Sequence, residues 1–143
     1  MAGSRLPLRA GVVGTGSLGF HHARILRDVE GVEMGGIFEI RAQRSREVAS
    51  ELEVEAHPSL ESLLDSVDAL VIAVPTVDHE AVAVSALERG ISVLIEKPMA
   101  PDLGAADRIL DAARATGATV QIGHVERFNP AIMAAEEYLG KPL

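Results

Sequence analysis

Short apolar segments alternate with longer amphipathic segments along the whole 143-residue chain. Apolar runs of strand length occur at 8–14, 32–40, 54–57, 68–75, 91–98 and within 118–128. Between them, helical spacing of apolar positions occurs at 17–31, 41–52, 60–67, 76–90, 100–117 and 129–140. Strands that are apolar on both faces and are separated by helices predict a parallel sheet covered on both sides. The predicted fold class is therefore α/β, a doubly wound parallel sheet with about six strands.

Several helix boundaries are marked by residues that suit helix ends. Gly90 and Gly117 each follow a periodic segment, where glycine can adopt the left-handed conformation that ends a helix. Asn129 can cap the last helix, and Pro130 suits the first helical position. These positions predict separate helices joined by short turns.

Composition narrows the class of partner. A net charge of −8 disfavours binding to nucleic acid and to anionic membrane surfaces, which both require a basic face. The chain has no cysteine, so disulfides and thiolate metal sites are excluded, and we assign no metal site. The N-terminal segment lacks the apolar stretch of a signal peptide, and no apolar run is long enough to cross a bilayer. We therefore expect one cytoplasmic domain that does not bind membranes.

A glycine-rich turn joins the first predicted strand to the first predicted helix. Gly14, Gly16 and Gly19 match the pattern G-x-G-x-x-G in the strand–turn–helix context that a dinucleotide-binding Rossmann fold requires. The first glycine allows the tight turn, the second lets a pyrophosphate approach the backbone, and the third lets helix and strand pack closely. Ser17 and Leu18 begin the helix, whose unpaired amides favour an anion. We assign these five residues to the coenzyme site.

An acidic residue follows at the distance that this motif requires. Glu39 lies 20 residues after Gly19, at the end of the second predicted strand. A carboxylate there accepts hydrogen bonds from the adenosine ribose and repels a 2′-phosphate, which favours NAD over NADP. Arg41 and Arg44 keep NADP open, because a nearby guanidinium could hold that phosphate. A methyltransferase that binds S-adenosylmethionine also uses a glycine loop and an acid at this place, and it stays open as an alternative.

The first predicted helix carries two adjacent histidines. His22 shares one helix face with the apolar residues Leu18, Ile25, Leu26 and Val29. We expect that face to be buried, and His22 to be a packed core residue rather than a catalyst.

Two further motifs follow predicted strands at the edge where open α/β sheets bind ligands. Pro75 and Thr76 end the strand at 68–75, and their loop would lie along a bound coenzyme. Glu96 and Lys97 lie at the end of the next strand, at 91–98, and Pro98 fixes their turn. A lysine at the mouth of this crevice can bind a sugar hydroxyl or transfer a proton.

Three stretches together resemble the Gfo/Idh/MocA family of NAD(P)-dependent sugar dehydrogenases. They are GVVGTGSLGFHHARIL at 11–26, PTVDHEAVAVSALERGISVLIEKPMA at 75–100 and GHVERFNPA at 123–131. The last stretch is similar to the branch that acts on nucleotide-activated amino sugars, such as UDP-N-acetylglucosamine 3-dehydrogenases. The resemblance implies hydride transfer from a hydroxyl-bearing carbon of a sugar or nucleotide sugar to NAD.

The resemblance also implies roles for individual residues. Lys97 matches the catalytic-site lysine of the family, close to both nicotinamide and substrate. Glu96 is implied to contact the nicotinamide ribose, while Thr76 and His79 belong to the coenzyme-side loop. Arg127 would lie near the nicotinamide end of the crevice, where its fork suits a carboxylate or phosphate.

Family members carry a second α/β domain, which supplies an Asp and a His for acid/base chemistry and much of an oligomer interface. We therefore expect residues 1–143 to be the NAD(P)-binding Rossmann domain of a homo-oligomeric dehydrogenase, cut before that second domain. Such a chain would bind NAD weakly and would not turn over substrate efficiently. A Rossmann module that senses dinucleotides without chemistry is the other alternative.

Overall fold

The computed structural model describes residues 7–139. Its five strands are β1 (Leu8–Val13), β2 (Val32–Phe38), β3 (Ala69–Ile72), β4 (Ser92–Ile95) and β5 (Val120–Ile122). Its six α-helices are α1 (Ser17–Asp28), α2 (Ala42–Leu52), α3 (Leu60–Leu64), α4 (His79–Leu87), α5 (Leu103–Thr116) and α6 (Pro130–Leu139). Turns of 3₁₀-helix precede α4 at Thr76–Asp78 and α6 at Val125–Phe128.

All five strands are parallel and lie in the order β2-β1-β3-β4-β5. The order reverses between β1 and β3, where the carboxyl ends of an open sheet form a crevice. This arrangement confirms the predicted doubly wound α/β fold.

The predicted strand at 54–57 is not formed as a strand, so the described chain has five strands rather than six. Ala56 makes one isolated parallel bridge to Ile37 at the outer edge of β2. Two backbone hydrogen bonds accompany it, from Ile37 N to Glu55 O and from His57 N to Ile37 O, each 2.8 Å long. Pro58 follows immediately and has no N–H with which to extend the pairing.

Two apolar clusters cover the two faces of the sheet. One joins α3, α4 and α5 to the sheet and includes Leu63, Ile72, Leu87, Ile95 and Ile109, all fully buried. The other joins α1 and α2 to the opposite face and includes Val12, Ile37 and Val48. Both clusters consist of aliphatic side chains, as the aromatic content of 3% requires.

The prediction of which face of α1 is buried is wrong. Leu18, Ile25 and Val29 are 53%, 54% and 40% exposed, whereas Gly19 and Ala23 are the buried residues of the helix. Small residues face the sheet because the turn before α1 brings the helix axis close to β1 and β3. Leu18, Ile25 and Val29 are therefore left on the outer side of the helix, whereas Phe20 and Leu26 pack against the core as partly buried residues.

The predicted helix ends are confirmed. Gly117 caps α5 in the left-handed conformation with φ 77°, and Gly90 takes φ 76° just after α4. Asn129 Oδ1 accepts a hydrogen bond from Ala131 N at 2.9 Å, directly before Pro130 begins α6. None of the helices in the described part of the chain has the length and apolar character needed to span a membrane.

Candidate functional site

The glycines in the turn between β1 and α1 have different structural roles. Gly14 has φ +78°, and its amide donates to Phe38 O at 2.8 Å, which ties the turn to the end of β2. A Cβ on Gly14 would lie 2.8 Å from Ala73 O beyond β3. Glycine is therefore required here by both conformation and space.

Gly16 and Gly19 differ in what surrounds them. A Cβ on Gly19 would lie 1.8 Å from Gly14 O, so α1 can pack against the turn only because this residue has no side chain. A Cβ on Gly16 would meet nothing within 4 Å, and Gly16 takes φ −64°. The space above Gly16 is thus open to a ligand.

Glu39 lies beside the same turn, at the carboxyl end of β2. Its Oε2 accepts hydrogen bonds from Thr15 N at 2.9 Å and from Thr15 Oγ1 at 3.3 Å. Thr15 is fully buried, and Glu39 is 7% exposed. The carboxylate is therefore held at a fixed place next to the glycine turn.

Arg41 forms a bidentate ion pair with this carboxylate. Its Nε donates to Glu39 Oε1 at 2.9 Å and its Nη2 to Glu39 Oε2 at 3.1 Å. This guanidinium, helped by the amides of Arg41 and Thr15 and opposed by burial, lowers the pKa of Glu39 to about 2. Glu39 is consequently ionised throughout the physiological pH range.

Arg44 is held differently. Its Nε donates to Thr15 O at 2.9 Å, and its guanidinium lies over the Phe20 ring at 5.5 Å from the centroid. Arg44 thus binds the backbone of the glycine turn and is not paired with Glu39.

A cavity of about 690 Å³ opens beside the turn, between the carboxyl ends of β1, β2 and β3. Four of the predicted coenzyme-binding residues line it: Gly14, Gly16, Glu39 and Pro75. The other predicted residues lie outside its lining, namely Ser17, Leu18, Gly19, Thr76, His79, Glu96, Lys97 and Arg127. The remaining lining is Val13, Phe38, Ile40, Arg41, Ala73, Val74, Asp78, Ala81 and Val82.

The loop after β3 approaches the cavity through Pro75, and Thr76 is half-buried beside it. His79 lies beneath this loop and is 1% exposed. Its Nε2 lies 3.0 Å from Val74 O and its Nδ1 lies 3.0 Å from Pro98 O. Both ring nitrogens are thus engaged by the backbone, and the ring joins the loop after β3 to the turn after β4.

The turn after β4 contains a buried carboxylate next to an exposed lysine. Glu96 is 6% exposed, and its Oε1 lies 2.7 Å from His22 Nε2 on α1. Its Oε2 accepts from the Lys97 amide at 3.2 Å, and the Lys97 side chain is exposed. The expectation that His22 packs in the apolar core is therefore wrong: the ring is half-buried and bonds the residue that precedes Lys97.

Arg127 lies on the 3₁₀ turn after β5 and is exposed. Asn129 is engaged twice, as the cap of α6 and through its amide nitrogen, which donates to Glu126 Oε2 at 2.8 Å. Both residues follow a strand whose carboxyl end lies at the same edge of the sheet as the glycine turn.

Sequence reasoning missed several residues of this edge. Thr15 carries no distinctive pattern, yet both of its donor groups hold Glu39. Ile40 is 87% exposed at the rim of the cavity. An apolar residue directly after the acid at the end of β2 is the one sequence feature that could have indicated it.

The arrangement fits a dinucleotide. The open space above Gly16 adjoins the N-terminus of α1, which has no acidic residue in its first turn. Amides at such a helix end attract phosphate groups. A fixed carboxylate and a largely aliphatic cavity lie alongside, where a ribose and an aromatic base can bind.

Curated dehydrogenases are similar in sequence to this chain. The relative UDP-N-acetylglucosamine 3-dehydrogenase of Acidithiobacillus ferrooxidans is 41% identical over 125 residues, covering 87% of this chain and 39% of the relative. Inositol 2-dehydrogenase 4 of Saccharopolyspora erythraea is 38% identical over 132 residues, covering 89% and 39%. The chain thus spans about two fifths of the length of these curated relatives.

Solved structures show the same fold. The Acidithiobacillus ferrooxidans enzyme superimposes with a TM-score of 0.84 at 39% identity, over 92% of this chain and 41% of that one. Biliverdin reductase from Synechocystis, solved with biliverdin and NADP⁺, gives a TM-score of 0.86 at 26% identity, over 94% and 43%. Residues 8–124 match the model of an oxidoreductase family described by its NAD-binding Rossmann fold. The chain belongs to the Gfo/Idh/MocA oxidoreductase family, of which it contains the NAD-binding Rossmann domain.

Proposed function

We propose that residues 1–143 form the coenzyme-binding domain of a dehydrogenase that oxidises a hydroxyl of a sugar or nucleotide sugar. The glycine turn and the fixed carboxylate of Glu39 lie beside the same cavity, and this observation carries the proposal. The named relatives act on UDP-N-acetylglucosamine and inositol, which supports the substrate class.

The pyrophosphate is assigned to the N-terminus of α1. The amides of Gly16, Ser17 and Leu18 supply hydrogen-bond donors there, and the helix dipole favours the negative charge. The missing side chain of Gly16 leaves the room that a phosphate needs to reach those amides.

The adenosine half is assigned to the cavity beside β2. Glu39 would accept from the ribose hydroxyls, since this residue lines the cavity. The aliphatic side chains of Ile40, Val74 and Val82 would contact the two faces of the adenine ring. This wall is built from residues that follow β2 and β3 and from a residue of α4.

The nicotinamide and the substrate are assigned to the edge formed by the ends of β4 and β5. The coenzyme supplies the hydride acceptor, so the carbon loses hydride while its hydroxyl must lose a proton. Lys97 is the exposed group proposed to contact that hydroxyl, with Glu96 beneath it proposed to contact the nicotinamide ribose. Arg127 is proposed to hold an anionic group of the substrate or coenzyme.

Three other predicted residues fit supporting roles in this arrangement. Pro75 and Thr76 would line the path of the coenzyme between its two halves. The buried His79 fits a role in holding that loop rather than in touching the coenzyme, since both of its nitrogens are engaged. We propose that the protein is cytoplasmic, which fits a chain without cysteine, and that the whole protein is a homo-oligomer.

Calorimetric titration of the purified chain with NADH and with S-adenosylmethionine tests the proposal. We expect NADH to bind at one site and S-adenosylmethionine not to bind. Binding of S-adenosylmethionine alone would contradict the dehydrogenase assignment and would support the methyltransferase alternative.

A further inference from the structure

A hydrogen-bonded pair joins helix α1 to the turn that carries Lys97. The half-buried His22 ring places its Nε2 2.7 Å from Oε1 of the buried Glu96. The other carboxylate oxygen, Oε2, accepts from the Lys97 amide at 3.2 Å. Gly123, directly after β5, packs against the same carboxylate, because a Cβ there would lie 3.1 Å from Glu96 Oε1. Glu96 is therefore confined by α1, by its own turn and by the end of β5.

We propose that His22 is a positioning residue of the coenzyme site, which holds the Glu96 carboxylate against the nicotinamide ribose. The ring itself does not contact the coenzyme. It acts through Glu96, whose position determines how tightly the nicotinamide half binds and which also holds the backbone at Lys97. The inference rests on the proposed function, because it assumes that the nicotinamide ribose binds beside Glu96.

The chemistry of the pair determines which atom donates. An ionised carboxylate can only accept a hydrogen bond, so Nε2 of His22 must carry the proton between the two groups. Within residues 7–139 the ring makes its hydrogen bond to Glu96 alone. A neutral His22 ring is therefore expected in the Nε2–H form, and an apolar replacement removes the donor.

Glu96 keeps acceptor capacity for a ligand. A carboxylate offers about four acceptor positions, and His22 and the Lys97 amide take one on each oxygen. About two positions remain, which is enough for the hydroxyls of one ribose. The carboxylate can thus be held by the protein and bind the sugar at the same time.

Helix α1 places this pair next to the site assigned to the pyrophosphate. His22 lies five positions after Ser17, the first residue of the helix, which is a rise of about 7.5 Å. Helical side chains lean towards the N-terminus, so the ring reaches back towards the end of the helix where the phosphates would bind. In a dinucleotide the nicotinamide ribose is attached directly to the pyrophosphate. One helix would therefore bind the pyrophosphate through its amides and the adjoining ribose through Glu96.

A pair that only stabilises the fold is the alternative. Well-packed apolar side chains often stabilise a fold as well as a buried polar pair does, so stability alone does not require a buried carboxylate. Glu96 lies directly after β4 and one residue before the exposed Lys97, at the edge of the sheet where open α/β folds bind ligands. This location favours a role in the site.

Titrations with NADH and with ADP distinguish the two roles on the chain as it is. ADP contains the adenosine and the pyrophosphate but lacks the nicotinamide ribose. In His22→Leu we expect NADH, followed by its fluorescence, to bind at least fivefold more weakly than in the wild type. The dissociation constant of ADP, measured by calorimetry, should stay within twofold. His22→Gln restores a donor of similar reach, so its NADH dissociation constant should lie within twofold of the wild type.

His21→Ala is the matched control, because His21 is the adjacent and exposed histidine of the same helix. Both of its dissociation constants should stay within twofold of the wild type. Circular dichroism verifies that each variant is folded at the temperature of the titrations. Loss of NADH and ADP affinity by the same factor in His22→Leu would overturn the inference, because it would show general damage to the site. Normal NADH binding in His22→Leu, or no recovery in His22→Gln, would also overturn it.

Spectra of the histidine ring nitrogens test the same inference in the wild type. Long-range ¹H–¹⁵N correlations report which nitrogen of the His22 ring carries a proton. We expect a protonated Nε2, and a change in the ring shifts with saturating NADH at least twice as large as with saturating ADP. An unprotonated Nε2, or equal changes with the two ligands, would overturn the role of His22.

The two proposals fail in different ways. A wild-type chain that binds NADH and ADP, with any of the contrary results above, overturns the role of His22 alone. A wild-type chain that binds neither ligand overturns the proposed function and the role of His22 together.

Discussion

Replacing Gly19 by alanine separates the packing role of this glycine from the coenzyme role of Gly16. The added Cβ would lie 1.8 Å from Gly14 O, 2.9 Å from Gly14 C and 3.3 Å from the Ala73 side chain. Ordinary contact begins at 3.4 Å, so the methyl group and the oxygen must separate by about 3.4 − 1.8 = 1.6 Å. The contacted atom belongs to the backbone and cannot rotate away.

The structure sets the size of the effect. Overpacking a well-packed site costs about 1–3 kcal/mol, and a backbone neighbour places this variant at the upper limit, about 3 kcal/mol. In a domain of this size 1 kcal/mol shifts the melting temperature by about 3 °C, so Gly19→Ala should melt about 9 °C below the wild type. Helix α1 must move outwards, and the glycine turn with it.

Gly16→Ala is the matched control, because its Cβ meets nothing within 4 Å and its φ is −64°. It should melt within about 2 °C of the wild type. Its methyl group nevertheless enters the space assigned to the pyrophosphate, so NADH affinity should fall at least tenfold. Thermal melts by circular dichroism and NADH titrations measure both quantities. A Gly19→Ala variant as stable as the wild type, or a Gly16→Ala variant that binds NADH normally, would refute this reasoning.

Three further variants test the buried polar groups. Glu39, with its pKa lowered from 4.5 to about 2, stabilises the fold above pH 4.5 and loses that contribution as the pH falls towards 2. In urea unfolding, the free energy of unfolding of Glu39→Gln should therefore be about 1–2 kcal/mol below that of the wild type at pH 6, and the difference should shrink below pH 4. This difference is smaller than the full pKa shift would give, because the Arg41 guanidinium is exposed. A difference that does not depend on pH would argue against the assigned cause. His22→Ala removes the side-chain partner of the buried Glu96 carboxylate and should cost about 1–3 kcal/mol, whereas His21→Ala, at an exposed neighbour, should cost less than about 0.5 kcal/mol. His79→Leu removes the ring nitrogens that face two backbone carbonyls and should cost about 2–4 kcal/mol in the same assay, and a smaller loss would show that water replaces the ring.

The sequence predicts those parts of the structure that local chemistry determines. The glycine turn, the acid at the end of β2 and the caps at Gly117 and Asn129 each depend on residues close together in the chain. Alternation of apolar and amphipathic segments predicts the parallel sheet, since strands that are apolar on both faces and are separated by helices are typical of a parallel sheet covered on both sides.

Contacts between distant residues are harder to predict. His22 and Glu96 are 74 positions apart, and only the order β1-β3-β4 brings α1 next to the turn after β4. The buried face of α1 also escaped prediction, because close packing at the turn favours Gly19 and Ala23 over the larger apolar residues. A hydrophobic pattern alone favours the larger residues.

The glycine turn and Glu39 together form the proposed dinucleotide site. Mapping amide ¹H–¹⁵N chemical shifts during an NADH titration of the purified chain tests this most directly. We predict that the largest shifts occur at the amides of Gly14, Gly16, Ser17 and Arg41, with saturation at a single site. Saturating NADH that leaves these amides unchanged, or shifts only amides remote from the cavity, would contradict the claim.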